Sequence, residues 1–92
     1  MDDLEKKLTR VYDNFGKKTQ CKKLFEEVYE LVEAINEYEY HGSKVHIEEE
    51  IADIYVLLKQ FEIAYKLNKT NVSKNISMKV ERTLDRIKNK YY

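Results

Sequence analysis

Leu24-Phe25-Glu26-Glu27-Val28-Tyr29-Glu30-Leu31-Val32-Glu33-Ala34-Ile35, followed by Glu49-Glu50-Ile51-Ala52-Asp53-Ile54, are the stretches whose reading decides the fold of this chain. In both, apolar residues recur at three- and four-residue spacing, the period of an α-helix with one inward face. Extending the first stretch gives a stripe of Leu24, Val28, Leu31, Ile35 and Tyr38. Extending the second gives Ile47, Ile51, Ile54, Leu58, Phe61 and Tyr65. His41-Gly42-Ser43 separates them, with Gly42 a natural helix stop and Ser43 placed to cap the next helix.

Working outward, the N-terminal segment carries Leu4, Leu8, Val11, Tyr12 and Phe15 at helical spacing, opens with a capping-box pattern of Asp2 and Glu5, and stops at Gly16. The next helix is then expected to begin near Thr19 or Gln20. Beyond a polar connection at Asn68–Asn71, a last helix from about Ser73 to Asn89 turns Ile76, Val80, Leu84 and Ile87 inward. Short connections make neighbouring helices antiparallel, so the sequence predicts an all-α, four-helix antiparallel bundle forming a single domain over residues 1–92. Two glycines and no proline in 92 residues leave too few turn residues for a sandwich or barrel. An apolar share of 42 % is too high for a disordered chain.

Lysine and arginine (17) balance aspartate and glutamate (17), but unevenly along the chain. From Glu26 to Asp53 there are ten acidic residues and one basic residue, Lys44; from Lys66 to Tyr92 there are eight basic and two acidic. A zero net charge without a groove-entering motif argues against nucleic-acid binding. No apolar run approaches the ~20 residues of a membrane span. Met1-Asp2-Asp3-Leu4-Glu5 does not read as a signal peptide, and the lone Cys21 has no disulfide partner. The expected location is therefore cytoplasmic.

The chemistry sits in two carboxylate pairs. Glu27 and Glu30 are three residues apart, as are Glu50 and Asp53, so each pair lies on one side of its helix, one turn apart. Each pair immediately precedes stripe residues (Val28 and Leu31; Ile51 and Ile54), so the angular offset from the apolar face is the same on both helices. Measured from the hairpin, the pairs lie at heights of roughly 17 and 11 Å, a mismatch of about one turn. Four carboxylates can thus converge at the edge of the core, with no Lys or Arg between Glu26 and Tyr40 to neutralise them. Such a group raises its own pKa values or recruits a hard cation, Mg²⁺ or Mn²⁺, of the kind that works with phosphate substrates. The Glu-x-x-His pairs of a di-iron bundle are absent, and His41 and His46 read as solvated residues near the loop. One Cys and two loop histidines do not make a zinc site.

The ordered motifs Glu27-x-x-Glu30 and Glu50-x-x-Asp53, with Gln20, Gln60 and the Lys79-Val80-Glu81-Arg82 run with Arg86, resemble the MazG-type all-α nucleoside triphosphate pyrophosphohydrolases in their small phage and Gram-positive versions, over roughly residues 17–90. The resemblance implies hydrolysis between the α- and β-phosphates to a nucleoside monophosphate and pyrophosphate, Mg²⁺ dependence with Mn²⁺ as a substitute, and a homodimer or homotetramer. It implies Glu27, Glu30, Glu50 and Asp53 as metal ligands, with Glu26, Glu27 and Glu50 as catalytic residues and Glu26 orienting water. Lys79, Arg82 and Arg86 share a face of the last helix and are placed to hold substrate phosphates; Lys17, Lys18, Lys22 and Lys23 form a second basic patch. No base-recognition motif stands out, and Tyr29, Asn36, Tyr55 and Gln60 are the polar and aromatic residues available for it. The alternatives are a non-catalytic helical interaction or oligomerisation module with an acidic face, and a phosphoribosyl-ATP pyrophosphohydrolase-like enzyme using the same metal site.

Overall fold

The computed structural model describes residues 1–89, without the side chain of His41. Among the described residues every regular element is α-helical: α1 spans Asp3–His41, α2 Lys44–Ala64 and α3 Lys69–Lys88. The all-α expectation holds, whereas the four-helix count does not. Gly16 does break the helical backbone, with a positive φ but an extended ψ (φ 85°, ψ 166°) rather than the left-handed helical stop expected, and helix resumes at once on its far side, so the first two expected helices run together as one kinked element. Thr19 accordingly lies inside a helix and caps nothing.

The ends follow local chemistry. The Asp2 side chain accepts from the Glu5 amide at 2.7 Å and the Glu5 side chain returns to the Asp2 amide at 3.4 Å, closing the capping box. Gly42, left-handed at φ 68°, ends α1 as expected. Ser43 stands at the α2 N-cap but its side chain makes no capping bond. Asn68 caps α3 through the Asn71 amide at 3.0 Å, so the expected polar connection is the start of that helix.

The helices α1 and α2 pack antiparallel, residue numbers falling along α2 as they rise along α1: Gln20 meets Gln60, Glu27 meets Asp53, and Glu37 meets His46. Before the kink, Leu8 is buried and the Tyr12 ring meets the edge of Phe61 at 5.8 Å. The inward face differs from the one read off the apolar stripe. On α1 it runs Gln20, Leu24, Glu27, Leu31, Ala34; on α2 it runs Ile47, Glu50, Ile54, Leu57, Phe61. These are heptad-like positions of which three are Gln or Glu, and polarity hides them from a search for apolar periodicity. Val28 and Ile35 on α1, and Ile51 and Leu58 on α2, lie instead on exposed faces.

Every described residue of α3 is exposed, including Ile76, Val80, Leu84 and Ile87, which the sequence turned inward. Their spacing makes an apolar face, but no surface among the described residues buries it. The open arrangement shows in a radius of gyration of 16.5 Å, against ~12 Å for a compact domain of this length. No helix among the described residues is long and apolar enough to cross a membrane.

Candidate metal centre and adjoining pocket

The antiparallel register brings Glu27 of α1 against Glu50 and Asp53 of α2. One carboxylate oxygen from each lies within 4.8 Å of the others. The cluster is inside the helix interface rather than at its edge: Glu27 is 3 % exposed and Glu50 7 %, while Asp53 opens to solvent. Glu30, the fourth expected member, is exposed and lies outside the three-residue group. It is near enough for its charge to act on Glu50.

The electrostatics are those of acids forced together. Burial, a hydrogen bond to Glu27 and the charges around it push the Glu50 carboxyl up to about 7. Asp53 is raised too, by burial and by the charge of Glu27. Burial also pushes Glu27 up, but hydrogen bonds from Lys23 and Glu50 outweigh it and hold that group below its ordinary value. Glu27 therefore carries the charge and Glu50 the proton when only protein groups are present. With both groups ionised, one oxygen on each, Glu27 Oε2 and Glu50 Oε2, is sealed from solvent with no hydrogen-bond donor. Unpartnered buried carboxylate oxygens are costly, and an all-oxygen donor set fits a hard divalent cation.

Two neighbours depart from the sequence reading. The absence of Lys and Arg after Glu26 does not leave the cluster without a cation, because Lys23, one turn earlier, reaches forward to Glu27 at 2.9 Å. That ion pair is the i, i+4 geometry of any helix and was open to reading from spacing alone. His46 is likewise no free loop residue. It sits in the first turn of α2 with Nε2 3.4 Å from Glu50 and Nδ1 3.7 Å from Glu37, half-exposed between two carboxylates. The expectation for His41 lies outside the described side chains.

A cavity of about 390 Å³ opens beside the cluster, within the range of small-molecule sites. Glu27, Asp53 and Lys23 line one part of it, Thr19, Gln20 and Gln60 another, and Val11, Phe15, Val56 and Leu57 supply apolar wall. Of the residues considered for base recognition only Gln60 is here; Tyr29, Asn36 and Tyr55 lie elsewhere on the surface. Glu26 is exposed beside Glu27. Lys79, Arg82 and Arg86 sit on the exposed α3; Lys79 and Arg82 line a separate groove with Glu81 and Asp85, and none of the three lines the cavity. Gln20 and Gln60 lie seven residues from Glu27 and Asp53, two turns along the same faces, a spacing that could have marked them as cavity residues.

This is an all-α protein with a carboxylate cluster suited to a divalent cation and a ligand-sized pocket against it. A family model, the MazG nucleotide pyrophosphohydrolase domain, matches residues 15–91. The chain belongs to that family. No curated protein and no solved structure matches it.

Proposed function

We propose that the protein is a Mg²⁺-dependent nucleoside triphosphate pyrophosphohydrolase that cleaves between the α- and β-phosphates, releasing a nucleoside monophosphate and pyrophosphate. The observation that carries the reading is the pair of sealed, unpartnered oxygens of Glu27 and Glu50, joined by Asp53 on the wall of a ligand-sized cavity. Family membership supplies the reaction class.

Glu27, Glu30, Glu50 and Asp53 would hold the cation, with Glu30 moving in from the rim. When bound, it neutralises charge developing on the phosphates and favours attack by water. The chain's own groups do the rest. Glu26, exposed next to Glu27, orients the attacking water, and a cluster carboxylate accepts its proton as the oxygen bonds to phosphorus and pyrophosphate departs. Glu50, whose carboxyl holds its proton near neutral pH, must give that proton up for its oxygens to serve as ligands or base. The Lys23 ammonium, half-exposed on Glu27, faces the same cavity and can transfer to a substrate phosphate oxygen.

The functional unit is a homodimer or homotetramer. The uncovered apolar face of α3 and the outward Val28, Ile35, Ile51 and Leu58 are surfaces for further copies, whose packing would complete a helical bundle. Lys79, Arg82 and Arg86, remote from the cluster within one chain, would then have a route to substrate phosphates of another. Incubation with a panel of ribo- and deoxynucleoside triphosphates in Mg²⁺ or Mn²⁺, with products separated by anion exchange, tests the reaction. Monophosphate and pyrophosphate should form, with Asp53→Asn at least about a hundredfold slower. Release of inorganic phosphate alone, or equal turnover by the variant, would refute it.

A further inference from the structure

The pocket contains a group that cleavage of a phosphoanhydride does not itself require, a buried pair of primary amides. Gln20 Nε2 donates to Gln60 Oε1 at 2.9 Å, and the two residues are 5 % and 2 % exposed. That single bond leaves the Gln20 oxygen as an acceptor and the Gln60 amino group as a donor. Neither is sealed without a partner, as the outer oxygens of Glu27 and Glu50 are, and both residues line the cavity. The amide pair thus brings to the cavity wall one donor and one acceptor beyond those spent on its own bond.

Their position along the helices matters as much as their chemistry. Gln20 precedes Glu27 by seven residues and Gln60 follows Asp53 by seven, so the amide pair lies two turns, about 10 Å, from the carboxylates. A nucleoside bridges a gap of this kind between the far edge of its base and its 5′-phosphate. Val56 and Leu57 of α2 give apolar wall between the two levels, and Val11 and Phe15, before the Gly16 kink, add more beyond the amides; the ring face of Phe15 suits a stacked base.

We infer that this pocket holds the nucleobase of the substrate, with the Gln20–Gln60 amide pair reading the base edge; the inference rests on the nucleotide reading above. The pair also sets how selective the reading is. If both amides rotate together, Gln60 donates to Gln20 and the free donor and acceptor exchange places. One arrangement complements a lactam edge, N–H beside C=O, as in uracil and guanine. The other complements an amidine edge, amino group beside ring nitrogen, as in cytosine and adenine. The pocket thus takes bases of either polarity and rejects those whose edge is blocked.

Binding of uridine, cytidine and guanosine 5′-monophosphates in Mg²⁺, compared with N3-methyluridine and N1-methylguanosine 5′-monophosphates, tests this by calorimetry and by the side-chain amide resonances of Gln20 and Gln60. The three parents should bind within about tenfold of one another, and each methylated form about tenfold or more weaker than its parent. In Gln20→Met/Gln60→Met, which replaces both partners by apolar groups of similar shape, the parents should fall to the methylated level. Equal binding of parent and methylated nucleotides by the unaltered protein, or binding that leaves both amide resonances unmoved, would overturn the inference even if the double variant fails to fold. Hydrolysis that ignores edge methylation removes this assignment alone, whereas methyl-sensitive binding without hydrolysis removes the reaction and leaves the pocket.

Discussion

The α1–α2 hairpin and α3 are opposites in what they bury. The hairpin interface buries Gln20, Glu27, Glu50 and Gln60 alongside Ala34 and Leu57, while Val28, Ile35, Ile51 and Leu58 face outward. The last helix has a regular apolar face and buries none of it. Burial of apolar area normally dominates folding, so a pair of helices that encloses carboxylates and amides gives up stability along that seam. The contrast fits the proposed division of roles, in which the hairpin seam binds and the outer faces pack against further copies.

The largest expected effect separates these two roles. Ile76→Glu/Leu84→Glu should dissociate assemblies of the protein, read as molar mass by light scattering, because the charges fall on the uncovered face of α3. It should leave the response of the hairpin to metal intact. Mg²⁺ or Mn²⁺ at about a hundred times its dissociation constant should stabilise the protein by about 2.7 kcal/mol, on the order of 10 °C in melting temperature for a domain this small. Asp53→Asn should remove most of that rise. A molar mass unchanged in the α3 variant, or a metal response surviving Asp53→Asn, would break the division of labour.

This division explains what the sequence made legible. The helical period, the capping box at Asp2 and Glu5, the breaks at Gly16 and Gly42, and the meeting of Glu27 with Glu50 and Asp53 all follow from spacing and local chemistry. The inward faces did not, because the stripe Leu24, Val28, Leu31, Ile35 merges an inner face with an outer one. Two faces some 100° apart on one helix are hard to separate when the inner one is part glutamine and glutamate. Lys23 escapes a charge count that starts at Glu26 because it meets Glu27 from the turn before. The place of α3 was out of reach, since an apolar face states that something covers it, not whether that surface belongs to the same chain.

A smaller effect tests the kink that lets both roles coexist. Gly16 sits at φ 85° and ψ 166°, a region open essentially only to glycine, and a Cβ there would meet no neighbouring atom. Gly16→Ala therefore carries only the backbone penalty, on the order of 1–3 kcal/mol. If α1 straightens to escape it, Tyr12 loses its edge contact with Phe61, and Val11 and Phe15 leave the pocket wall. The expected outcome is a lower melting temperature together with weaker nucleotide binding, the metal response of the carboxylates being retained. A variant as stable as the parent would show that the kink is not required.

The smallest effect expected is also the most specific to the seam. The Glu50 carboxyl is raised in the fold from about 4.5 to about 7, by burial first and then by its hydrogen bond to Glu27 and the charges nearby. Its raised affinity for a proton favours the fold fully below pH 4.5 and loses that contribution as pH climbs to about 7. Metal-free protein should therefore lose melting temperature across this window on account of Glu50. Glu27, held low, gains stability with rising pH and partly offsets the trend, but nearer its own lower range. Glu50→Gln, which keeps the shape and a hydrogen bond to Glu27 without the titration, should flatten the slope between about 4.5 and 7. Saturating Mg²⁺ should reverse the slope in the unaltered protein, because a cation competes with the Glu50 proton and binds more tightly as that proton is lost. A metal-free melting temperature that stays level across the window, or falls as steeply in Glu50→Gln, would mean that the hairpin encloses its carboxylates without strain, and the contrast with α3 would lose its energetic basis.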